Sequence, residues 1–183
     1  MHIIESLVNI RKYIAISSIL ISIAIFTYYI GRSILGIDPL YPFGENMVKY
    51  EIVIIPNLIY LKPVTLAIII GYLGILTLLS HLTNYAIKNW SEHHFFILEV
   101  ISGTLMFISG YEILFNFTLW NSLISSLAKN GEISDNIDLL YNIFPNPNNP
   151  WNLVFASKIF YFTFLSAITT FYYVNRWRSF KIK

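Results

Sequence analysis

The sequence predicts an all-α membrane protein, a four-transmembrane-helix bundle with two long extracytoplasmic loops. Two observations carry that prediction. Four apolar runs, residues 14–30, 64–82, 95–117 and 153–174, punctuate the chain. At roughly 1.5 Å of rise per residue each brings a helix across a hydrocarbon core of about 30 Å. The 183 residues are 56% hydrophobic and only 12% charged, far below the charged quarter of an ordinary soluble domain. A single membrane domain over 1–183 is expected, with outer loops 31–63 and 118–152.

The first run follows Arg11 and Lys12. It is longer than the apolar core of a secretory signal, and Tyr28, Tyr29 and Arg32 stand where small residues would mark cleavage, so it reads as a retained helix. In the first loop, 38–44 is rich in turn formers, and Tyr50-Glu51-Ile52-Val53-Ile54-Ile55 is β-prone and stopped by Pro56. That segment is expected along the membrane surface or packed on the bundle. Pro63 suits the first position of the second helix, where its missing N–H would be unpaired anyway.

Small residues let helices approach closely in lipid. The second helix carries Ala67, Gly71, Gly74 and His81 on one broad face, and the third carries Gly103 and Gly110 in line with Met106 and Glu99. These two faces are expected to meet. Ala15, Ser18 and Ser22 on the first helix, and Thr163, Ser166 and Thr170 on the fourth, read as packing positions of the same kind. In the second loop Leu119, Leu123, Ile124 and Leu127 fall at helical spacing before Asn130-Gly131, which predicts a short interfacial amphipathic helix with Trp120 at headgroup depth. The prolines of 144–152 predict an extended lid. Both halves follow the plan helix, long loop, helix, which is the pattern of a duplication or of shared interfacial composition.

Four spans put both termini and the middle loop on one side, with Arg11, Lys12, Lys88, Arg176, Arg178, Lys181 and Lys183; Arg32, Lys49, Lys62, Lys129 and Lys158 lie on the other. The positive-inside rule then places both termini in the cytoplasm and the chain in the cell membrane. The tail residues Arg176, Trp177, Arg178, Lys181 and Lys183 read as an anchor on anionic headgroups.

Charge inside a span is costly unless paired. Glu112 and Lys158 share a depth, which predicts an intramembrane ion pair. His81, Glu92, His93, His94 and Glu99 gather at the opposite end. Imidazoles and carboxylates are metal ligands, so His81, His93, His94 and Glu99 are candidates for a metal ion, and His81 with His94 for axial ligation of haem b. The spacing matches neither HxxxH nor HExxH. No nucleophile or acid–base pair at a defined spacing accompanies the cluster, so no catalytic residue and no resident cofactor is expected.

Absence of cysteine excludes disulfides and thiolate metal sites, and a net charge of +2 argues against a nucleic-acid partner. The expected partners are the bilayer and other membrane subunits or a second copy. The leading expectation is a structural or accessory subunit of a larger membrane complex. Alternatives are a haem- or metal-binding redox protein and a small oligomeric transporter or channel.

Overall fold

A computed structural model describes residues 2–38, 45–56, 59–129 and 153–182. The described residues are helical apart from one small hairpin and the short connections. Its elements are α1 (His2–Ile34), α2 (Asn46–Lys49), β1 (Ile52–Ile55), β2 (Ile59–Leu61), α3 (Pro63–Asn89), α4 (Glu92–Lys129) and α5 (Leu153–Ile182). Four of them are long and apolar enough to cross a membrane, over Asn9–Ile34, Pro63–Thr83, Glu92–Asn121 and Val154–Lys181. Every helix outruns the apolar run that announced it, because helix propagation continues into the interface until a residue stops it.

Gly36 stops α1. It adopts φ +68°, the left-handed conformation glycine takes without steric penalty. The Gly36 amide donates to the Ser33 carbonyl at 3.2 Å and the Ile37 amide to the Arg32 carbonyl at 3.0 Å, the paired bonds of a Schellman motif. α3 starts at Pro63, and the carbonyl of Lys62 accepts from the Leu66 amide at 3.0 Å, as the reading of Pro63 required. α3 and α4 are joined by Trp90 and Ser91 alone, a far shorter connection than the apolar runs suggested. Ser91 precedes α4, and its backbone N–H donates to His94 Nδ1 at 3.2 Å, one half of a capping box with imidazole in place of the usual carboxylate.

One expected feature is corrected. The amphipathic segment after residue 117 is not a separate interfacial helix; α4 runs on unbroken to Lys129, about 57 Å in all. No glycine or proline interrupts 111–129, and Thr118 Oγ1 donates back to the Leu114 carbonyl within the same helix. The β-prone stretch forms a strand with a partner that the sequence reading did not assign. β1 pairs antiparallel with β2, Ile52 opposite Leu61 and Val53 opposite Tyr60, with a register shift between Val53 and Ile55. The turn at 39–44, the lid at 144–152, Asn130-Gly131 and Lys183 lie outside the described residues.

The helices pack in pairs: α1 on α3, α4 on α5, with α3 on α5 joining them. Gly71 and Gly74 of α3 lie against Ser22 and Ala15 of α1, while Gly103 and Gly110 of α4 lie against Phe171 and Phe164 of α5. Numbers rise on one helix as they fall on its mate, so both pairs are antiparallel. α3 and α5 are parallel, as the bonds Lys158–Thr65, Tyr72–Thr169 and Trp177–Thr83 show at three levels. The glycine faces of α3 and α4 therefore do not meet; each serves its own pair.

Two apolar clusters fasten the ends. At the loop end Met47 and Val48 of α2 press on Val64 and Phe155. At the turn end Trp177, Phe95, Val174 and Leu79 interlock.

Candidate functional site: the turn end and the groove beside it

At the turn end, the last turns of α5 bring Trp177, Arg178 and Lys181 onto the α3–α4 turn. Trp177 is fully buried, its indole N–H donates to Thr83 Oγ1 at 3.0 Å, and it meets Trp90 edge-on at 5.6 Å. Arg178 forks between two carboxylates, with Nε 3.0 Å from Glu92 and Nη1 3.0 Å from Glu99. Lys181 donates to the Trp90 carbonyl and lies over the Phe95 ring. Arg176 lies over Phe180. Trp177, Arg178 and Lys181 thus hold α5 to the α3–α4 turn, while Arg176 and Lys181 remain exposed at this end.

The histidines do not converge. His94 spends Nδ1 on Ser91 and stacks on Trp90 with ring centroids 6.1 Å apart. His93 is exposed and His81 half-buried. Leu82, Trp90 and Leu98 pack around the core of this end. Among the described residues no three His, Asp or Glu side chains stand close enough to hold a metal ion. The metal-ion reading of His81, His93, His94 and Glu99 is corrected on that ground.

The Glu112–Lys158 pair is corrected too. Lys158 turns toward α3 and donates to Thr65 Oγ1 at 2.9 Å, and the ion pairs among the described residues join neither Lys158 nor Glu112 to an opposite charge. The parallel α3–α5 seam gives the ammonium a hydroxyl on its own face, whereas Glu112 belongs to α4 on the other side of α5.

Beyond the turn α3 and α4 diverge and leave a groove of about 400 Å³, with Leu78 and Leu105 on its walls and Thr163, Ser166, Ala167 and Thr170 of α5 along its floor. Thr163 and Thr170 donate to carbonyls one turn back. Ser166 Oγ is buried with no hydrogen-bond partner. Beside the groove, Ser102, Ser109 and Asn116 of α4 recur every seven residues and are all buried, the period of helices wound closely on one another.

A second polar centre, missed in the sequence, closes the loop end. Asp38 accepts from Arg32 through both oxygens at 2.8 and 3.0 Å, from Asn46 at 3.1 Å and from Tyr50 at 3.0 Å. The Arg32 hydrogen bond, aided by Asn46 and Tyr50 and opposed by burial, holds the Asp38 carboxyl well below the usual carboxylate range. Hydrogen bonding to Asp38 and burial push the Tyr50 phenol up. The signal was present: Arg32 and Asp38 flank Gly36, which turns the chain back on itself.

No protein-family model matches the chain, and no curated protein or solved structure is similar to it.

Proposed function

We propose that this chain is a structural or accessory subunit of a larger membrane complex, without catalysis of its own, and that the α3–α4 groove receives a transmembrane helix of a partner subunit. The groove carries the reading. Its floor repeats small residues at i, i+3, i+4 and i+7 (Thr163, Ser166, Ala167, Thr170), the pattern that lets a second helix backbone approach. A lipid tail has no need of such a floor, whereas a helix backbone gains close contact from it. The ionised clusters at both ends support the reading from the other side, since Asp38, Glu45, Glu51, Glu92 and Glu99 are each held by a cation of the same chain.

Orientation follows from charge. We infer cytoplasmic termini in the cell membrane from the basic residues Arg11, Lys12, Lys88 and Arg176 on that side. The chain lacks cysteine, so single cysteines introduced at Arg11 and Val53 report the sides directly. Labelling of Val53→Cys alone by an impermeant maleimide on intact cells is expected; labelling of Arg11→Cys alone would reverse the orientation.

The deciding experiment is the native mass of a tagged copy purified from its own host in mild detergent. A large assembly with stoichiometric membrane partners is expected, and Ser166→Phe, which fills the groove, should release them while the chain stays folded. A small homo-oligomer containing this chain alone would overturn the reading.

A further inference from the structure

The hairpin at the loop end suits neither water nor hydrocarbon. β1 reads Ile52-Val53-Ile54-Ile55 and β2 reads Ile59-Tyr60-Leu61, so neither strand alternates apolar with charged residues as a half-solvated strand does. Val53 and Ile54 are 53% and 45% exposed, which leaves apolar surface open. A two-stranded hairpin is marginal in water without a further apolar contact. Among the described elements the helices supply little of it, since the strands pack chiefly on each other. Both strands are also edges of a two-stranded sheet, and their outward N–H and C=O groups would go unpaired in hydrocarbon. Only the layer where headgroups, water and the first methylenes of the acyl chains mix serves side chains and backbone together.

The chain ties the hairpin to that layer at its open end. Lys62 alone separates β2 from Pro63, where α3 and its membrane-crossing segment begin. The approach to β1 is fixed at the same level, because Met47 and Val48 of α2 are buried against Val64 at the start of α3 and Phe155 at the start of α5. Glu51 and Lys62 pair at 2.8 Å across the open end, and Lys62 also donates to the Lys49 carbonyl at 3.3 Å. The four residues of β1, at about 3.3 Å each, reach only about 13 Å from this anchorage.

We propose that the β1–β2 hairpin is an interfacial anchor, docked on the lipid surface at the loop side of the membrane, with headgroups and the first methylenes covering Val53 and Ile54 and the Glu51–Lys62 pair at headgroup level. Its partner is the bilayer surface. That layer is hydrated, so a cysteine at Val53 stays open to a water-soluble maleimide there. The anchor is independent of the groove and of any partner in it.

The test is the depth of a fluorophore on the full chain in phosphatidylcholine vesicles. The chain lacks cysteine, so Ile54→Cys carries the fluorophore alone, and Ile21→Cys, midway along the first span and 51% exposed, is the deep reference. The vesicles contain lipids spin-labelled either near the carbonyl or near the end of the acyl chain. Quenching at position 54 is expected to be stronger from the shallow lipid, and at position 21 from the deep one. Adding Val53→Glu to the Ile54→Cys chain should abolish lipid quenching and introduce quenching by aqueous iodide. Quenching of position 54 by iodide and by neither lipid would overturn the proposal by placing the hairpin in water. Quenching by neither lipid nor iodide would overturn it in favour of a protein cover, from this chain or a second copy. If the Val53→Glu chain does not fold, the comparison of the two lipids decides.

Discussion

Asp38 shows how a single carboxylate organises a chain reversal. It is 6% exposed, and Arg32 grips it with both arms of its guanidinium fork, a geometry that lysine lacks. Its folded pKa lies below its unfolded value, so the unfolded chain binds the proton more readily and the stabilisation is present above the unfolded value. It declines as pH falls below about 4 and is gone once the folded value is passed. Thermal unfolding in detergent should therefore show Asp38→Asn melting several degrees lower than wild type at neutral pH, with a shallower loss of stability on acidification. Equal melting temperatures and equal acid slopes would contradict this role.

Most of this residue-scale detail was invisible in the sequence, because it depends on which charges the fold brings together. Lys158 was expected beside Glu112 from depth alone, yet depth does not say which face of α5 it occupies. Trp177 and Arg178 had the composition of a membrane anchor, and only the continuation of α5 to Ile182 turns them inward. His94 was legible as something near a helix start, but its part as a cap depends on helix boundaries that hydropathy does not define.

At the scale of elements, the spans themselves were plain, and their ends were not. Apolar runs mark lipid depth, whereas helices stop at Gly36 or at the Trp90-Ser91 turn. The glycines separate into two kinds. A methyl group at Gly74 would lie 2.9 Å from Ile19 Cγ1 and 3.1 Å from the Ala15 carbonyl, while one at Gly103 would meet nothing closer than Phe171 at 3.9 Å. Gly74→Ala must push α1 and α3 apart and is expected to cost about 1–3 kcal/mol by overpacking. Gly103→Ala should be neutral or slightly stabilising, since alanine is the better helix former. Unfolding of the two variants side by side checks the difference, and a Gly74→Ala protein as stable as wild type would contradict the close α1–α3 approach.

For the whole molecule, the packing order reads the same from either side: α1, α3, α5, α4, with a parallel seam in the middle and an antiparallel partner outside each of its helices. Each half of the chain therefore contributes one antiparallel helix pair. That order also explains the groove, since α4 packs on α5 rather than closing on α3, to which it is tied by only a two-residue turn. Sequence periodicity assigned small residues to contact faces but could not say which helices shared them, so neither the groove nor its floor was legible beforehand.

The docking of a partner helix in that groove is the central claim, and photo-crosslinking in native membranes tests it most directly. A photoreactive residue in place of Leu105, on the groove wall, is compared with one in place of Ile21, exposed on the far face of α1. The account predicts one protein adduct of defined mass from Leu105 and lipid adducts alone from Ile21. Lipid adducts alone from both positions would contradict it.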